Sequence, residues 1–312
     1  MEFPALFLGA MPDKIPALYS LMNHAAFTQG TWYPMGGMGK VIDAMADIAK
    51  GMGVKFHVGT EVKKITVQNG TARALETNKG RFEFDGLISS GDYHHTETKL
   101  LDQEWRNYDE SYWNKKTMAP SSLIFYLGIN KRLPVLTHHN LFFDTDFQKH
   151  AREIYSQPNW PSDPLFYTCV PSKTDPSVAP EGMENLFILI PIAAGLEDTE
   201  QTRERYYEQI MNRLESHCAT KIREHVIVKR SYCVNDFKMD YHAYKGNAYG
   251  LANTLSQTAH LKPKIRNKKI SNLYYSGQLT VPGPGVPPSI ISGQIAATEL
   301  IKNLTKVYET VV

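Results

Sequence analysis

Three kinds of residue cluster in this sequence have types and spacing suited to chemistry: glycines and prolines ahead of a helix, small residues closing a strand, and neighbouring histidines. The densest is Pro282-Gly283-Pro284-Gly285-Val286-Pro287-Pro288. Glycines before a helix N-terminus let a ligand approach the backbone, while unpaired N–H groups and the helix dipole favour negative charge there. A phosphate or an electron-rich carbonyl suits such a place, although the same residues also suffice for a plain turn. His94 and His95 beside Asp92 suggest a metal or a general base. A metal needs more ligands at usable spacing, so none is expected, and the pair is read as a polar boundary to a helix over Thr98–Leu101. Gly36-Gly37-Met38-Gly39-Lys40 invites a phosphate-loop reading. That motif requires glycine five residues before its Gly-Lys pair and Ser or Thr after it, where Pro34 and Val41 stand, so it is excluded.

The elements that must position these residues follow from periodicity. Leu273, Tyr274 and Tyr275 form a β-prone run closed by Gly277, and Ala296 to Lys302 is rich in helix formers. Two prolines fit a helix's first turn, where a missing N–H has no partner to lose; Ser271–Leu300 therefore reads strand, loop, helix. Thr31–Gly53 reads as an aromatic strand-like run, a turn at Gly36 and Gly37, and a core helix with Val41, Ile42, Met45, Ile48 and Met52 on one face. Val54–Val58 and Glu61–Val67 read as strands, Thr71–Glu76 with Gly80–Phe84 as a hairpin, and Asp85–Gly91 as a buried strand running into a small-residue turn. Between Ser121 and Ala193 the segments SSLIFYLGI, HHNLFFD, PLFYTCV and NLFILIPIA are strands parted by polar loops. Consecutive strands of this kind predict a mostly antiparallel sheet, a layer inserted between two parts of another domain. Its aromatic and aliphatic residues suit either a tunnel wall for a hydrocarbon or an ordinary core. Asp198–Val226 is a predicted helix, N-capped by Asp198, with Tyr207, Ile210, Met211, Leu214 and Cys218 on one face; Val226–Val234 is a strand. Lys262–Lys269 reads as a basic cluster beside a potential lipid-facing region or, as such runs usually are, a solvated loop.

A chain of 312 residues accommodates one large or two ordinary domains, and a net charge of +2 is near balance, which implies no general polyanion-binding surface and argues against nucleic acid as a partner. Cys169, Cys218 and Cys233 stand far apart without CxxC spacing, which argues against a disulfide framework or a zinc site and fits a reducing compartment. No apolar run approaches the roughly 20 residues that span a bilayer, and the opening MEFPALFLGAMPDKIPALYSL lacks a basic region before its apolar stretch. That opening suits a membrane surface or a core-packed terminus equally.

Two long stretches, LYYSGQLTVPGPGVPPSIISGQIAATELI and WYPMGGMGKVIDAMADIAKGMGVKFHVGTEVKKI, resemble the phytoene desaturase family of carotenoid desaturases, which have the amine-oxidase type of FAD fold. The resemblance implies an α/β fold with α+β character: an incomplete FAD-binding domain with an inserted, mostly antiparallel substrate domain. Residues 1–30 would end a helical substrate- or membrane-facing region, 31–115 would belong to the FAD domain, 116–235 to the substrate domain and 236–312 to the C-terminal FAD segment. By position, Gly277 and Gln278 would lie near the ribityl and pyrophosphate, and Gly285, Val286 and Pro287 against the isoalloxazine. Ser90 and Gly91 would lie near the pyrophosphate, and the backbone of Val62 at the adenine. Gln278 stands where related flavoproteins often have an acidic residue. Tyr244, Asn247 and Gln257 would line the substrate cavity. The expected cofactor is FAD, the partner a phytoene-like carotenoid, and the location cytoplasmic and peripheral on the membrane. The implied reaction removes hydrogen from C–C bonds of phytoene with hydride passing to flavin; no Asp, Glu, His or Lys stands out as the proton acceptor. The family's opening G-x-G-x-x-G unit, with its acidic ribose partner about 20 residues on, is not in the sequence. The expectation is an N-terminally truncated desaturase. A related isomerase, saturase or hydroxycarotenoid desaturase, or a non-catalytic hydrophobic-ligand-binding remnant, are the alternatives.

Overall fold

The computed structural model describes residues 9–311 other than Pro12, with side chains as far as Thr305. Two compact units are present. One comprises Leu18–Phe56 and Ser121–Asn235; the other comprises His57–Pro120 and Asp236–Val312 with the described residues before Leu18.

The first unit is built on a five-stranded sheet of order β6-β7-β8-β5-β9, from β5 (Ser121–Ile129), β6 (His139–Phe142), β7 (Phe166–Cys169), β8 (Glu184–Ile192) and β9 (Val226–Tyr232). Every pairing is antiparallel, and β5 and β8 are in continuous register from Ser121↔Ile192 to Ile129↔Glu184. Alternation along β5 sends Leu123, Phe125 and Leu127 into a core shared with the helix Glu200–Cys218, whose Tyr207, Ile210, Met211 and Leu214 are buried as its spacing predicts. The ring of Tyr207 lies 5.4 Å from that of Phe125. The helix starts one residue later than expected at its cap. Thr199 is the N-cap, its Oγ1 accepting from Thr202 N at 3.1 Å. Asp198 instead takes both fork bonds of Arg203, at 2.7 and 2.6 Å, because a bidentate guanidinium bonds more strongly than a single backbone N–H. The opposite side of the sheet, with Tyr126, Tyr167 and Phe187, borders an apolar cavity of about 1000 Å³.

The second unit holds an antiparallel meander of β1 (Val62–Gln68), β2 (Thr71–Thr77) and β3 (Gly80–Glu83), and a parallel pair of β4 (Leu87–Ser89) with β10 (Leu273–Tyr275). Its core gathers Ile65, Tyr93, Trp113, Leu251, Leu273 and Tyr275. The closing helix runs Val286–Val311, with Pro287 and Pro288 in its first turn. Leu87 N donates to Asn272 O at 3.0 Å, and Asn272 also bonds Ala72 on β2, fastening the parallel pair to the meander.

Several expectations are corrected. Val54–Val58 forms no strand, and Val58 is 81% exposed. The helix Gly39–Gly51 forms, yet it buries no residue and leaves Ile48 66% exposed, so it is not a core helix. The contrast has a physical cause: a helix satisfies its backbone internally, whereas a strand needs a neighbour, and none pairs with Val54–Val58 among the described residues. Residues 31–56 group with the sheet unit, where Gly36 N donates to Asp175 Oδ2 at 2.5 Å. The strand expected over Asp85–Gly91 shortens to the half-buried β4, and the helix expected over Thr98–Leu101 begins earlier, as Tyr93–His95 continuing into a π-turn at Thr96–Leu100. Of the membrane-facing region expected over residues 1–30, residues 1–8 lie outside the described ones, and Leu21–Gln29 is a helix exposing Leu21, Met22 and Phe27. Among the described residues, no helix is long and apolar enough to cross a membrane.

Candidate functional site

The parallel strands β4 and β10 end side by side, with Tyr275 opposite Ser89, and each runs at once into small residues: Ser90-Gly91 and Ser276-Gly277. Ser276 N donates to Ser89 O at 2.9 Å, which extends the pairing by one bond before the chains diverge. A cavity of about 510 Å³ opens there, lined by Ser90, Gly91, Asp92, Asn247, Gly277 and Gln278 among others. Crevices beyond the carboxyl ends of parallel strands are where open α/β sheets bind ligands.

Gly277 has φ +107°, a region L-residues avoid, and a side chain there would project to 3.8 Å from Ser90 O. Its N–H donates to Ser292 Oγ at 3.0 Å, fixing the turn to the closing helix. Gly250 has φ +76°, and a Cβ on it would come within 2.6 Å of Gln278 O, so only glycine allows the two backbones to meet. Gln278 Nε2 donates to Asn247 Oδ1 at 3.2 Å, an oxygen that also accepts from Gly250 N at 2.7 Å. The amide of Gln278 is thus oriented, and its Oε1 remains as an acceptor.

Asp92 borders the cavity but is a brace. Its Oδ1 accepts from His95 N at 2.9 Å and its Oδ2 from Tyr244 N at 3.0 Å, while burial raises its pKa above the ordinary value. His94 Nε2 lies 3.0 Å from Glu110 Oε1. His95 stacks on His242 at 4.0 Å, and burial together with His242 lowers its pKa to about 4. Asp92 is thus held by backbone donors from two segments. Behind the cavity, Tyr93 and Tyr275 stack at 3.8 Å, and Tyr275 donates to buried Glu97, whose carboxylate also accepts from Asn107 N and Tyr108 N.

The structure therefore brings Ser90, Gly91, Gly277, Gln278 and Asn247 together, from three distant parts of the sequence. The other expected residues do not line this cavity. Val62 opens β1 and is half-buried. Gly285, Val286 and Pro287 open the closing helix, with Ser289 N donating to Gly285 O at 2.9 Å. Tyr244 is buried against His94 and donates its hydroxyl to Asn114 Oδ1 at 3.0 Å. Gln257 is buried with its amide bonded to backbone: Oε1 accepts from Thr117 N, and Nε2 donates to Thr117 O and Ala252 O. Its observed bonds brace two loops.

One group escaped the sequence reading. Lys262, placed there in a solvated loop, is only 2% exposed, and its Nζ has no partner among the described residues; the same holds for Asn253 Oδ1. Both stand beside Gly283, where an added Cβ would lie 3.4 Å from Lys262 Nζ and 3.6 Å from Asn253 Oδ1. Burial, reinforced by Lys116, lowers the Lys262 pKa to about 8. Local sequence gives no signal for this, since the neighbouring lysines are those of an ordinary exposed loop.

The family model for flavin containing amine oxidoreductases matches residues 6–301. A carotenoid 3,4-desaturase of Haloarcula japonica is 39% identical over 305 residues, covering 97% of this chain and 61% of the relative. A zeta-carotene-forming phytoene desaturase of Myxococcus xanthus is 28% identical over 312 residues, covering 96% of this chain and 58% of the relative. The chain thus spans about three fifths of the length of these relatives. Among solved structures, an oxidoreductase from Methanosarcina mazei has a TM-score of 0.62 at 18% identity, covering 96% of this chain and 65% of the other.

Proposed function

The chain belongs to the family of flavin containing amine oxidoreductases, and from that premise we propose that it forms part of an FAD-dependent carotenoid desaturase, acting on phytoene or a related carotenoid. One observation carries the reading: Ser90-Gly91 and Gly277-Gln278, nearly two hundred residues apart, wall one cavity at the ends of parallel strands. The residues present fit a flavin. Small side chains at Ser90, Gly91 and Gly277 leave backbone open to phosphate and ribityl groups, where bulk would hold them away. Gln278 Oε1, with its Nε2 held by Asn247, is placed to accept from a ribityl hydroxyl, which an acidic residue would do elsewhere in related flavoproteins. Lys262 Nζ and Asn253 Oδ1 are buried polar atoms with no partner among the described residues.

FAD, when bound, supplies the hydride acceptor. The chain's own part is to hold the cofactor, exclude water and position the polyene. Phe237, Tyr241 and Leu279 give the cavity an apolar wall. In the sheet unit, the apolar cavity of about 1000 Å³ with Trp32, Tyr33, Tyr126 and Phe187 supports a long hydrocarbon ligand. Exposed Leu21, Met22, Phe27 and Trp32 support a membrane-facing region that would receive such a ligand. The adenosine half of FAD would be held by a G-x-G-x-x-G unit, which these 312 residues do not contain.

The test is flavin absorbance retained after desalting, with FAD supplied to the chain alone and to the chain with a polypeptide carrying the family's dinucleotide-binding unit, followed by incubation with phytoene and product analysis. Retention and desaturation only in the second mixture are expected. Absence of flavin from both mixtures would refute the assignment, and tight retention by the chain alone would refute the need for the second unit.

A further inference from the structure

In the sheet unit, His138, His139 and Cys169 each present one ligand atom within 4.8 Å of the other two. We propose that these three side chains bind one borderline-soft divalent cation of the zinc type, with the fourth position open to the apolar cavity that all three line.

The backbone holds the three together. His139 is the direct antiparallel partner of Cys169 across β6 and β7. Val170 N donates to His138 O at 2.8 Å, which fixes His138 beside the same strand end. Successive residues within a strand point to opposite faces. His138, however, precedes β6, and its ring lies 4.3 Å from that of His139.

The ring nitrogens are also arranged for coordination. His138 Nδ1 lies 2.6 Å from Thr174 Oγ1, and His139 Nδ1 lies 2.6 Å from the Tyr167 hydroxyl. Either hydroxyl can accept from an imidazole N–H, which fixes the tautomer and leaves the second nitrogen with its lone pair; metal-binding histidines are commonly held this way. For His138 that second nitrogen, Nε2, is buried and has no hydrogen-bond partner among the described residues. An orphaned buried nitrogen is costly unless something joins it. Two nitrogens and one sulfur suit zinc, and an open fourth position is the pattern of sites that admit a further ligand. Tetrahedral Zn–N and Zn–S bonds set ligand atoms roughly 3.5 Å apart, so the side chains close by about 1 Å around the ion. Binding replaces the Cys169 S–H proton by the cation, and the proton leaves to solvent.

The test uses the reduced full chain under argon, titrated with Co²⁺ and followed by absorbance. Expected are one Co²⁺ per chain, tetrahedral d–d bands, a thiolate-to-cobalt charge-transfer band, and displacement of both by Zn²⁺. Cys169→Ser should remove the charge-transfer band. His139→Ala, on an exposed residue that leaves the core untouched, should weaken binding by at least about tenfold, and Thr174→Ala by about tenfold through loss of imidazole orientation. Circular dichroism confirms the fold of each variant. No saturable binding, a charge-transfer band that survives Cys169→Ser, or an affinity unchanged by His139→Ala would each overturn the proposal.

Discussion

Replacing Lys262 by Met should stabilise the protein, and the gain should depend on pH in a defined way. Lys262 is 2% exposed, its ammonium has no hydrogen-bond partner among the described residues, and its pKa falls from 10.5 to about 8 on burial. At 1.36 kcal/mol for each tenfold in proton affinity, keeping that charge in the fold costs about 3 kcal/mol below pH 8. Methionine matches the length of the stem and carries no charge, so Lys262→Met should raise stability by about 2–3 kcal/mol at pH 7. In urea that is a midpoint shift of about 1 M. Between pH 8 and 10.5 the unfolded parent still holds a proton that the folded parent has lost, so the parent's stability rises with pH and the variant's advantage shrinks. Above pH 10.5 both forms of the lysine are neutral and the advantage should be gone. Urea melts of parent and variant at pH 7 and pH 10.5 decide the matter. A lower midpoint for the variant at pH 7, or an equal gain at both pH values, would refute the argument that Lys262 is an uncompensated buried charge.

Two further perturbations probe the site and the sheet unit. Gly277→Ala should cost about 1–2 kcal/mol, because a Cβ is strained at φ +107°, and should weaken FAD retention by at least about tenfold by narrowing the gap to Ser90 O; Gly293→Ala, on a helix with nothing within 4 Å, is the control for thermal melting and flavin titration. Asp198→Asn should cost about 3 kcal/mol at pH 7 by removing the buried carboxylate charge that the fork of part-buried Arg203 grips. Burial pushes the Asp198 pKa up, but Arg203 and Asn235 outweigh it and hold it below 3.8, so the pair's contribution is present above that value and is lost as pH falls through the depressed one. Urea melts at pH 7 and pH 3 should show the gap between parent and variant closing.

What was legible in the sequence is what local periodicity controls. The strands β5 to β9, the hairpin of β2 and β3, the buried face of Glu200–Cys218 and the strand–loop–helix around Gly277 all appear near where alternation, apolar spacing and Pro/Gly punctuation place them. The resemblance supplied Ser90, Gly91, Gly277 and Gln278, but only the parallel pairing of β4 with β10 sets them around one cavity. Whether an apolar face is covered is a property of neighbours. The spacing of Ile42, Met45 and Ile48 is that of a core helix, and the structure leaves that face open. Nor does type alone decide environment: Lys262 is buried among loop residues that read as solvated, and Gln257 serves two loops through its amide. The sequence by itself determined most of the elements, because side-chain periods of 2.0 and 3.6 are written in residue order, while the family was legible through the resemblance of two long stretches. Tertiary structure alone decided the meeting of His138, His139 and Cys169 and the isolation of Lys262, because cross-strand register and burial join residues whose separation along the chain carries no record of the contact.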